Sequence, residues 1–368
     1  MPDADPRKPI VFAKFVGRDI LDEQGRLLFA LLNAFATSGH STMLFDSLPA
    51  DRMGRYAVMA KQLPGVVETT TVPDQSREMY YLFDHEDRTI GRRDWLKKIR
   101  VGFDIFSRFW LRRPILMQFP VHPVHAAPDL RRRLLPLRSR PRSMRAFFSG
   151  EMLGYTVNRI TYPKAKLTRL EIVEVARELS GDRTVFVQQQ SEFDRMLAGG
   201  FVDKCVILDT SRFRVPDHAW LDVLSRAEFF LAPPGIVMPM CHNSVEALSV
   251  GTIPIINYPE WFEPRLEHLR NCIAFDDRRD LTAKLASIFA MGPAAIATMR
   301  QEAIRCYDAH LSSESFTAKI EARPERSIEV LMILEEYVRK NAGRLGAGSV
   351  LLRGTAGTGD RASRASRP

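Results

Sequence analysis

Short apolar strands alternate with amphipathic helices along most of the chain, and this alternation is the sequence feature that most constrains the fold. In the first half we predict strands at 9–16, 41–46, 66–72, 78–84 and 115–120. Apolar residues recur at helical spacing in 26–37, where Gly39 follows as a left-handed cap, and a second, longer helix is predicted at 95–111. This βαβ order requires a parallel sheet, and right-handed crossovers place helices on both of its faces.

The alternation breaks at 128–142, a stretch rich in proline and arginine, and then restarts. Beyond the break we predict strands at 145–150, 184–190, 204–209, 229–235, 253–257 and 272–277, and helices at 164–179, 217–226, 243–251, 280–290 and 293–309. A final helix is predicted at 327–340, and the Gly-, Ser- and Arg-rich composition after Asn341 is typical of disorder. We therefore predict domains at 1–140 and 141–312, a helical segment at 313–340 and a disordered tail at 341–368.

The composition is that of a folded protein that works in a reducing compartment. The 368 residues are 45% hydrophobic and 26% charged, which suits two domains with ordinary cores. No window of about 18 uncharged apolar residues occurs, and the first residues carry no apolar stretch of the secretory kind. The four cysteines are widely spaced and form no Cys-x-x-Cys pair, which favours free thiols over disulfides or a zinc site. A cytoplasmic location is expected.

The positive charge is concentrated in one place. Seven arginines lie between Arg131 and Arg145, and they account for most of the net charge of +9. Such a run either attracts phosphates, anionic lipid or nucleic acid, or is a solvated linker between domains. Both interpretations stay open at this stage, although we expect no nucleic-acid partner.

The most informative segment is 229–257, FFLAPPGIVMPMCHNSVEALSVGTIPIIN. A predicted strand runs into a Pro-Pro-Gly loop, the loop feeds a helix that starts near Asn243, and Gly251 stops the helix before another buried strand. In a parallel sheet this loop lies at the carboxyl ends of the strands, where ligands bind, and the N–H groups at the helix start suit a diphosphate. Asn243 or Ser244 can cap the helix, and Glu246, one turn further, can accept hydrogen bonds from ribose hydroxyls.

These residues resemble the nucleotide-sugar-binding half of GT-B glycosyltransferases. Pro234-Gly235, the Ser-Val-Glu-Ala-Leu run at 244–248 and the Gly-Thr-Ile-Pro run at 251–254 are closest to the exostosin-like pattern. The run at 145–150 resembles the entry strand of that family's donor domain, so the resemblance covers 145–310. It implies an α/β fold of two Rossmann-like doubly wound domains, with a C-terminal helix that braces the first domain and the donor held against the second.

The resemblance also has consequences for the chemistry. It implies that Glu246 contacts the ribose of a nucleotide sugar. Many retaining enzymes of this fold carry a second glutamate eight positions earlier, where this chain has Met238. That departure favours inverting chemistry.

Sugar transfer requires positive charge or N–H donors around the leaving diphosphate. The predicted donor-binding residues are Ser149, Gly150, Lys164, Arg212, Pro234, Gly235, Asn243, Ser244 and Glu246. No Asp-x-Asp motif follows a strand, so no obligatory metal is indicated, and we expect no cofactor beyond the nucleotide sugar, with a UDP-sugar favoured.

Inversion also requires a base that deprotonates the acceptor hydroxyl, and this base is expected on the first domain. The loop after the first strand offers Asp19, Asp22 and Glu23, and the FPVHPVH stretch offers His122 and His125. Asp22 and His122 are the preferred candidates.

The segment 92–113 suggests a membrane contact. It combines six large apolar residues (Trp95, Ile99, Phe103, Phe106, Phe109 and Trp110) with basic residues at its flanks. This composition suits a helix at an anionic membrane surface, and it also suits a core helix of the first domain. A peripheral position at the inner membrane face is therefore a second hypothesis for the location.

We predict transfer of a sugar from a nucleotide-diphosphate donor to a glycan, a lipid-linked saccharide or another hydroxyl acceptor. The alternative is a catalytically degenerate GT-B protein that serves as a binding or scaffold subunit at the membrane. A nucleotide-binding oxidoreductase is disfavoured, because no Gly-x-Gly-x-x-Gly motif follows either opening strand.

Overall fold

The computed structural model describes residues 5–105, 114–153, 166–179 and 181–341. The chain forms two compact units, Met1–Arg132 with His310–Tyr337, and Arg133–Ala309 with Val338–Pro368. The chain therefore returns to the first unit after completing most of the second.

Strands and helices alternate along the described residues. The strands are β1 Ile10–Lys14, β2 Thr42–Phe45, β3 Val66–Thr69, β4 Met79–Phe83, β5 Lys97–Gly102, β6 Ile115–Met117, β7 Met144–Gly150, β8 Thr184–Val187, β9 Cys205–Asp209, β10 Ala227–Leu231, β11 Ile253–Ile256, β12 Ile273–Ala274 and β13 Ser327–Met332. The α-helices are α1 Asp22–Thr37, α2 Arg55–Lys61, α3 Arg88–Gly91, α4 Leu130–Arg138, α5 Arg169–Arg177, α6 Gln190–Leu197, α7 Trp220–Leu224, α8 His242–Ser249, α9 Arg278–Ala290, α10 Pro293–Cys306, α11 Ser313–Glu321 and α12 Glu335–Lys340.

The first unit is built on a parallel sheet. Its strand order in the described part of the chain is β3-β2-β1-β4-β5-β13-β6. One face packs on the large apolar core that includes α1, and the other packs on a smaller aromatic cluster around Phe12, Tyr81 and Trp95. Cores on both faces are what a doubly wound sheet requires.

The predicted helix at 327–340 is wrong over its first half. Residues 327–332 form β13, which pairs in parallel with β5 on one side and with β6 on the other. Ile328 and Val330 are β-branched and buried, and the space between two parallel strands needs a strand that is apolar on both faces. Only the short α12 at the end of this segment is helical, so tertiary pairing overrides the helical spacing.

The predicted helix at 95–111 is also wrong where the structure describes it, because β5 occupies 97–102. Burial alternates along β5, and Ile99 and Val101 face the core. Trp95 is buried and stacks on Phe12 and Tyr81, with ring centroids 5.6 and 5.0 Å apart. Trp95, Ile99 and Phe103 are therefore core residues and not part of a membrane-facing helix.

Three of the apolar residues in the membrane hypothesis lie outside the described residues, namely Phe106, Phe109 and Trp110. Among the described residues, no single helix has the length and apolar character to cross a membrane, and one pair bent by 114°, Arg278–Ala290 with Pro293–Leu311, meets those criteria jointly.

The second unit contains a parallel sheet of order β12-β11-β10-β7-β9-β8. Its first strand, β7, pairs with β10 on one side and with β9 on the other. The chain therefore forms β7, β8 and β9 on one side of the sheet before it forms β10, β11 and β12 on the other. Two parallel, doubly wound α/β units confirm the predicted fold class.

The arginine run is neither a linker nor an open basic patch over its second half. Residues 130–138 form α4, and Arg138 makes a two-pronged ion pair with Asp308, with N–O distances of 2.9 and 2.7 Å. Arg140 pairs with Asp222, and Arg145 pairs with Asp203. Because these guanidinium groups are bound within the second unit, they are not available as an anion-binding surface.

All four cysteines are free thiols, as predicted, and Cys205, Cys272 and Cys306 are buried. Burial raises the pKa of the Cys205 and Cys272 thiols to about 12. These two groups are consequently neutral core residues at physiological pH.

A partly exposed carboxylate in the first unit, Glu321, predicts a pH-dependent contribution to stability. Glu321 Oε1 lies 2.6 Å from Lys8 Nζ and 3.0 Å from His40 Nε2. Burial raises the pKa of Glu321, but the hydrogen bonds from Lys8 and His40 outweigh burial, and the net pKa is below the ordinary value of 4.5. Because this pKa is lower in the folded state, the stabilisation is present above pH 4.5 and is lost as the pH falls through the folded-state value.

We therefore expect Glu321→Gln to lower Tm at pH 7 and to lower it less at pH 4. Thermal unfolding of the parent and the variant at both pH values checks this, with Glu78→Gln as a control at an exposed position. An equal Tm difference at the two pH values would contradict the assignment.

Candidate functional site

The strand order of the second sheet defines a switch point between β7 and β10. The chain runs from β7 outward to β8 and β9 on one side, and through β10, β11 and β12 on the other. Phe147 of β7 pairs with Phe230 of β10, so the two strands end side by side. Ligands of open parallel sheets bind in the crevice at such a point, outside the carboxyl ends of the strands.

Two of the predicted donor-binding segments lie side by side at this switch point. Ser149 and Gly150 are the last residues of β7, and Pro234 and Gly235 follow β10 after two residues. Ser149 is buried, and Gly150 is half-buried. The structure therefore brings together two segments that the sequence separates by more than 80 residues.

The loop after β10 is tightly curled around Gly235. A Cβ atom at this position would lie 3.0 Å from the Met238 carbonyl oxygen and 3.1 Å from that of Met240. Pro233 and Pro234 before it are buried. The glycine therefore allows the loop to fold back on itself before α8 begins.

Helix α8 starts one residue earlier than predicted. Its N-cap is Cys241, whose side chain makes no capping hydrogen bond, so Asn243 and Ser244 are first-turn residues and the prediction that one of them caps the helix is wrong. The backbone N–H of Ser244 donates to the Cys241 carbonyl at 3.2 Å. The start of α8 lies just past the curled loop, at the carboxyl edge of the sheet.

The far end of α8 is fixed as the sequence predicts. Gly251 has a φ of +76°, and the N–H groups of Gly251 and Thr252 donate back to the carbonyls of Leu248 and Ala247. This pair of bonds is the Schellman arrangement, which needs a residue in the left-handed region. Gly251 therefore ends α8 and directs the chain into β11.

Arginines also hold the end of α8. Arg138 Nε donates to the Ser249 carbonyl at 2.8 Å, and Arg142 Nη2 donates to the Val250 carbonyl at 2.7 Å. Cations at a helix C-terminus are stabilised by the helix dipole. The basic run of the sequence thus supports the helix whose opposite end faces the candidate site.

Glu246 is buried more deeply than the sequence suggested, with 0% of its surface exposed. Its Oε2 accepts a hydrogen bond of 2.6 Å from the indole N–H of Trp220. The Trp220 ring packs against Phe147 and Phe230, which belong to the two strands at the switch point. Glu246 therefore ties α8 to α7 and the sheet, and its contact with a ribose stays a prediction.

Of the other two predicted donor-binding cations, the structure describes only Arg212. Arg212 is exposed, and its Nη1 lies 3.4 Å from Gln188 Oε1 beside a cavity of about 340 Å³. The cavity is lined by Met152, Arg177, Phe186, Val187, Gln188, Ile207, Asp209 and Arg212. It opens next to the ends of β8 and β9, one strand away from the switch point. Lys164 lies outside the described residues.

A buried cation at the end of β7 escaped the sequence analysis. Arg169, the first residue of α5, is 4% exposed, and its Nη1 donates to the Glu151 carbonyl at 3.1 Å. The same atom would lie 2.8 Å from a Cβ at Gly150. Its position directly after the Thr168 capping residue was the available signal, because it places the side chain at the sheet edge.

In the first unit, the segment that follows Asp22 and the side chain of His122 both contact α2. Asp22 begins α1, and the next three residues are in the left-handed region, so that Gly25 contacts Ala57. His122 is half-buried, and its Nε2 lies 3.4 Å from the hydroxyl of Tyr56, the neighbour of Ala57. Their catalytic roles stay predictions. Among the described residues, no group of three or more His, Cys, Asp or Glu side chains is arranged to hold a metal.

No protein-family model and no curated protein matches the chain. Among solved structures, it is similar to a glycosyltransferase from Rickettsia africae, with 8% identity, a TM-score of 0.46, and 90% of this chain and 99% of the other covered. Anabaena Alr3699/HepE in complex with UDP gives 11% identity and a TM-score of 0.45, with 85% and 98% covered. An alpha-glucosyltransferase in complex with UDP and a 13-mer DNA gives 13% identity and a TM-score of 0.43, with 85% and 99% covered. At these identities and TM-scores, the functional assignment has to come from the residues of this chain.

Proposed function

We propose that the protein is a glycosyltransferase that moves a sugar from a nucleotide-diphosphate donor to a hydroxyl acceptor. The observation that carries this proposal is the switch point of the second sheet. There Ser149 and Gly150 end β7 beside the curled Gly235 loop, and that loop leads into the N-terminus of α8. Backbone N–H groups and a positive helix end at one edge suit a diphosphate, and the resemblance of the same residues to nucleotide-sugar-binding domains supports a sugar donor.

In this proposal the diphosphate binds between the end of β7 and the first turn of α8. Asn243 and Ser244 lie in that turn and contribute their N–H groups, while Arg169 adds a cation at the β7 side. These groups stabilise the negative charge that develops on the leaving diphosphate. A UDP-sugar is the favoured donor. Inversion at the anomeric carbon is the favoured outcome, because Met238 occupies the position at which many retaining enzymes of this fold carry a second glutamate.

The experiment that tests the proposal is nucleotide release from a panel of UDP-, GDP-, ADP- and dTDP-sugars, with a mixture of simple glycosides as acceptors. Release of a nucleoside diphosphate together with a new glycoside is the expected result. If the protein binds a nucleotide sugar but neither hydrolyses nor transfers it, the result would instead support the alternative function, a scaffold subunit of the same fold. We also propose that the acceptor is a glycan, a lipid-linked saccharide or another hydroxyl compound, and that the protein is cytoplasmic.

A further inference from the structure

The first unit contains a cavity of about 540 Å³, inside the range of about 300–1,000 Å³ that is typical of small-ligand sites. It is lined mainly by residues of β4, β5 and β13 and of the segment before β13. Ile99 and Val101 of β5 face the large apolar core, and side chains alternate along a strand, so Lys98 and Arg100 lie on the opposite face. The cavity therefore lies on the face of the first sheet that points away from that core.

The strand register arranges the floor of this cavity in two rows. Phe83 of β4, Arg100 of β5 and Glu329 of β13 are direct neighbours across the sheet. In the next row, Lys98 of β5 lies beside Ser327 of β13. An aromatic ring, a guanidinium group and a carboxylate therefore follow one another across three strands, with an ammonium group and a hydroxyl group beside them.

The carboxylate of Glu329 is only half satisfied. Its Oε1 accepts a hydrogen bond from Arg100 Nη1 at 3.3 Å, which is long for a bond between charged groups. Its Oε2 is buried and has no hydrogen-bond partner in the described part of the chain. A buried carboxylate oxygen without a donor costs free energy, and a ligand that supplies an O–H group recovers it. Glu329 therefore points to a ligand that donates hydrogen bonds.

The charges around the cavity are close to balance. Among the described residues that line it, four are cations and three are carboxylates. Lys98 pairs with Glu86 at 2.9 Å, and Arg326 pairs with Asp94. The cavity therefore lacks the excess of cations that recognition of a phosphate or a nucleic acid requires. The Arg100 side chain is 61% exposed, so part of its guanidinium group is accessible to a ligand that also accepts hydrogen bonds.

We infer that this cavity binds an uncharged saccharide. A sugar hydroxyl donates to Glu329 Oε2 and accepts from the Arg100 guanidinium at the same time, which matches two opposite charges held side by side. Phe83, which stacks on Tyr81 with ring centroids 4.5 Å apart, provides apolar surface for the C–H groups of the sugar ring. The site belongs to the first unit alone, so the inference does not depend on the proposed donor site in the second unit.

The test is isothermal titration of the full chain, without nucleotide, with maltotriose, cellotriose, mannotriose, xylotriose and N-acetylchitotriose. We expect the parent to bind at least one of them, and we expect Glu329→Gln and Arg100→Met each to weaken that binding at least about tenfold, because charge-assisted hydrogen bonds to the hydroxyls are lost. Glu78→Gln and Arg132→Met, at exposed positions outside the cavity, are the matched controls and should bind as the parent does.

Ser327→Trp tests the cavity itself. Ser327 is exposed at the start of β13, where an aromatic residue suits a strand, and the large ring would fill the cavity, so we expect binding to be lost without a large change in Tm.

Three results would overturn the inference. The first is a parent that binds none of the five trisaccharides. The second is parental binding in Glu329→Gln, Arg100→Met and Ser327→Trp, because the sugar would then bind elsewhere on the chain. The third is tighter binding of trigalacturonate than of every neutral trisaccharide, because the cations alone would then decide recognition. A parent that releases no nucleotide from any donor would overturn the proposed function and leave this inference standing.

Discussion

Replacement of Arg142 by methionine is expected to destabilise the protein by about 3–5 kcal/mol, since several charge-assisted hydrogen bonds are lost at once. The guanidinium donates to the Ser225 carbonyl at the end of α7, to the Val250 carbonyl at the end of α8, and to Thr252 Oγ1 at 3.1 Å. Methionine fills a similar volume but offers no donor. The carbonyls at the ends of two helices would then lose their partner.

Chemical denaturation of Arg142→Met measures this loss directly, and Arg132→Met is its control. Arg132 belongs to the same basic run, but its side chain is 83% exposed, so we expect a change within about 0.5 kcal/mol. If both variants unfold like the parent, the arginine run does not stabilise α8. That result would favour the alternative interpretation, in which the run binds anions.

Replacement of Glu246 is expected to change both stability and nucleotide binding. Glu246→Ala removes a buried carboxylate and leaves the Trp220 indole N–H without its 2.6 Å acceptor, which costs about 1–3 kcal/mol. From the sequence, Glu246 was expected only to contact a ribose. The structure adds an effect on stability, because the side chain is part of the packing between α7 and α8.

A pair of milder variants separates the two effects. Glu246→Gln keeps an acceptor for Trp220 but removes the charge, and we expect UDP affinity to fall at least about tenfold with a small change in Tm. Trp220→Phe removes the indole donor, and we expect a lower Tm with much less effect on affinity. Should Glu246→Gln bind UDP as the parent does, the role of Glu246 is structural only.

The elements that the sequence predicted correctly are those whose signals are local. Strand β7 with Ser149 and Gly150, the Gly235 loop and the Gly251 stop depend on residues within a few positions of one another. Their apolar runs and turn residues determine the local structure without help from distant segments. The edge of the second sheet, where the candidate site lies, could therefore be located from the sequence.

The predictions that failed concern residues whose secondary structure or role depends on contacts with residues far away in the sequence. Residues 327–332 have helical spacing, but the space between β5 and β6 makes them a strand. Glu246 is placed by Trp220, and the role of Arg138 is set by Asp308, 170 residues away.

The central claim is that a nucleoside diphosphate binds at the start of α8 through its phosphates. Isothermal titration of the parent with UDP and with uridine tests it most directly, repeated for the GDP, ADP, CDP and dTDP pairs. The account predicts that at least one diphosphate binds and that its nucleoside binds at least about tenfold more weakly, because the helix N-terminus and backbone N–H groups recognise the phosphates. Equal binding of a diphosphate and its nucleoside, or no binding of any of the five diphosphates, would contradict it.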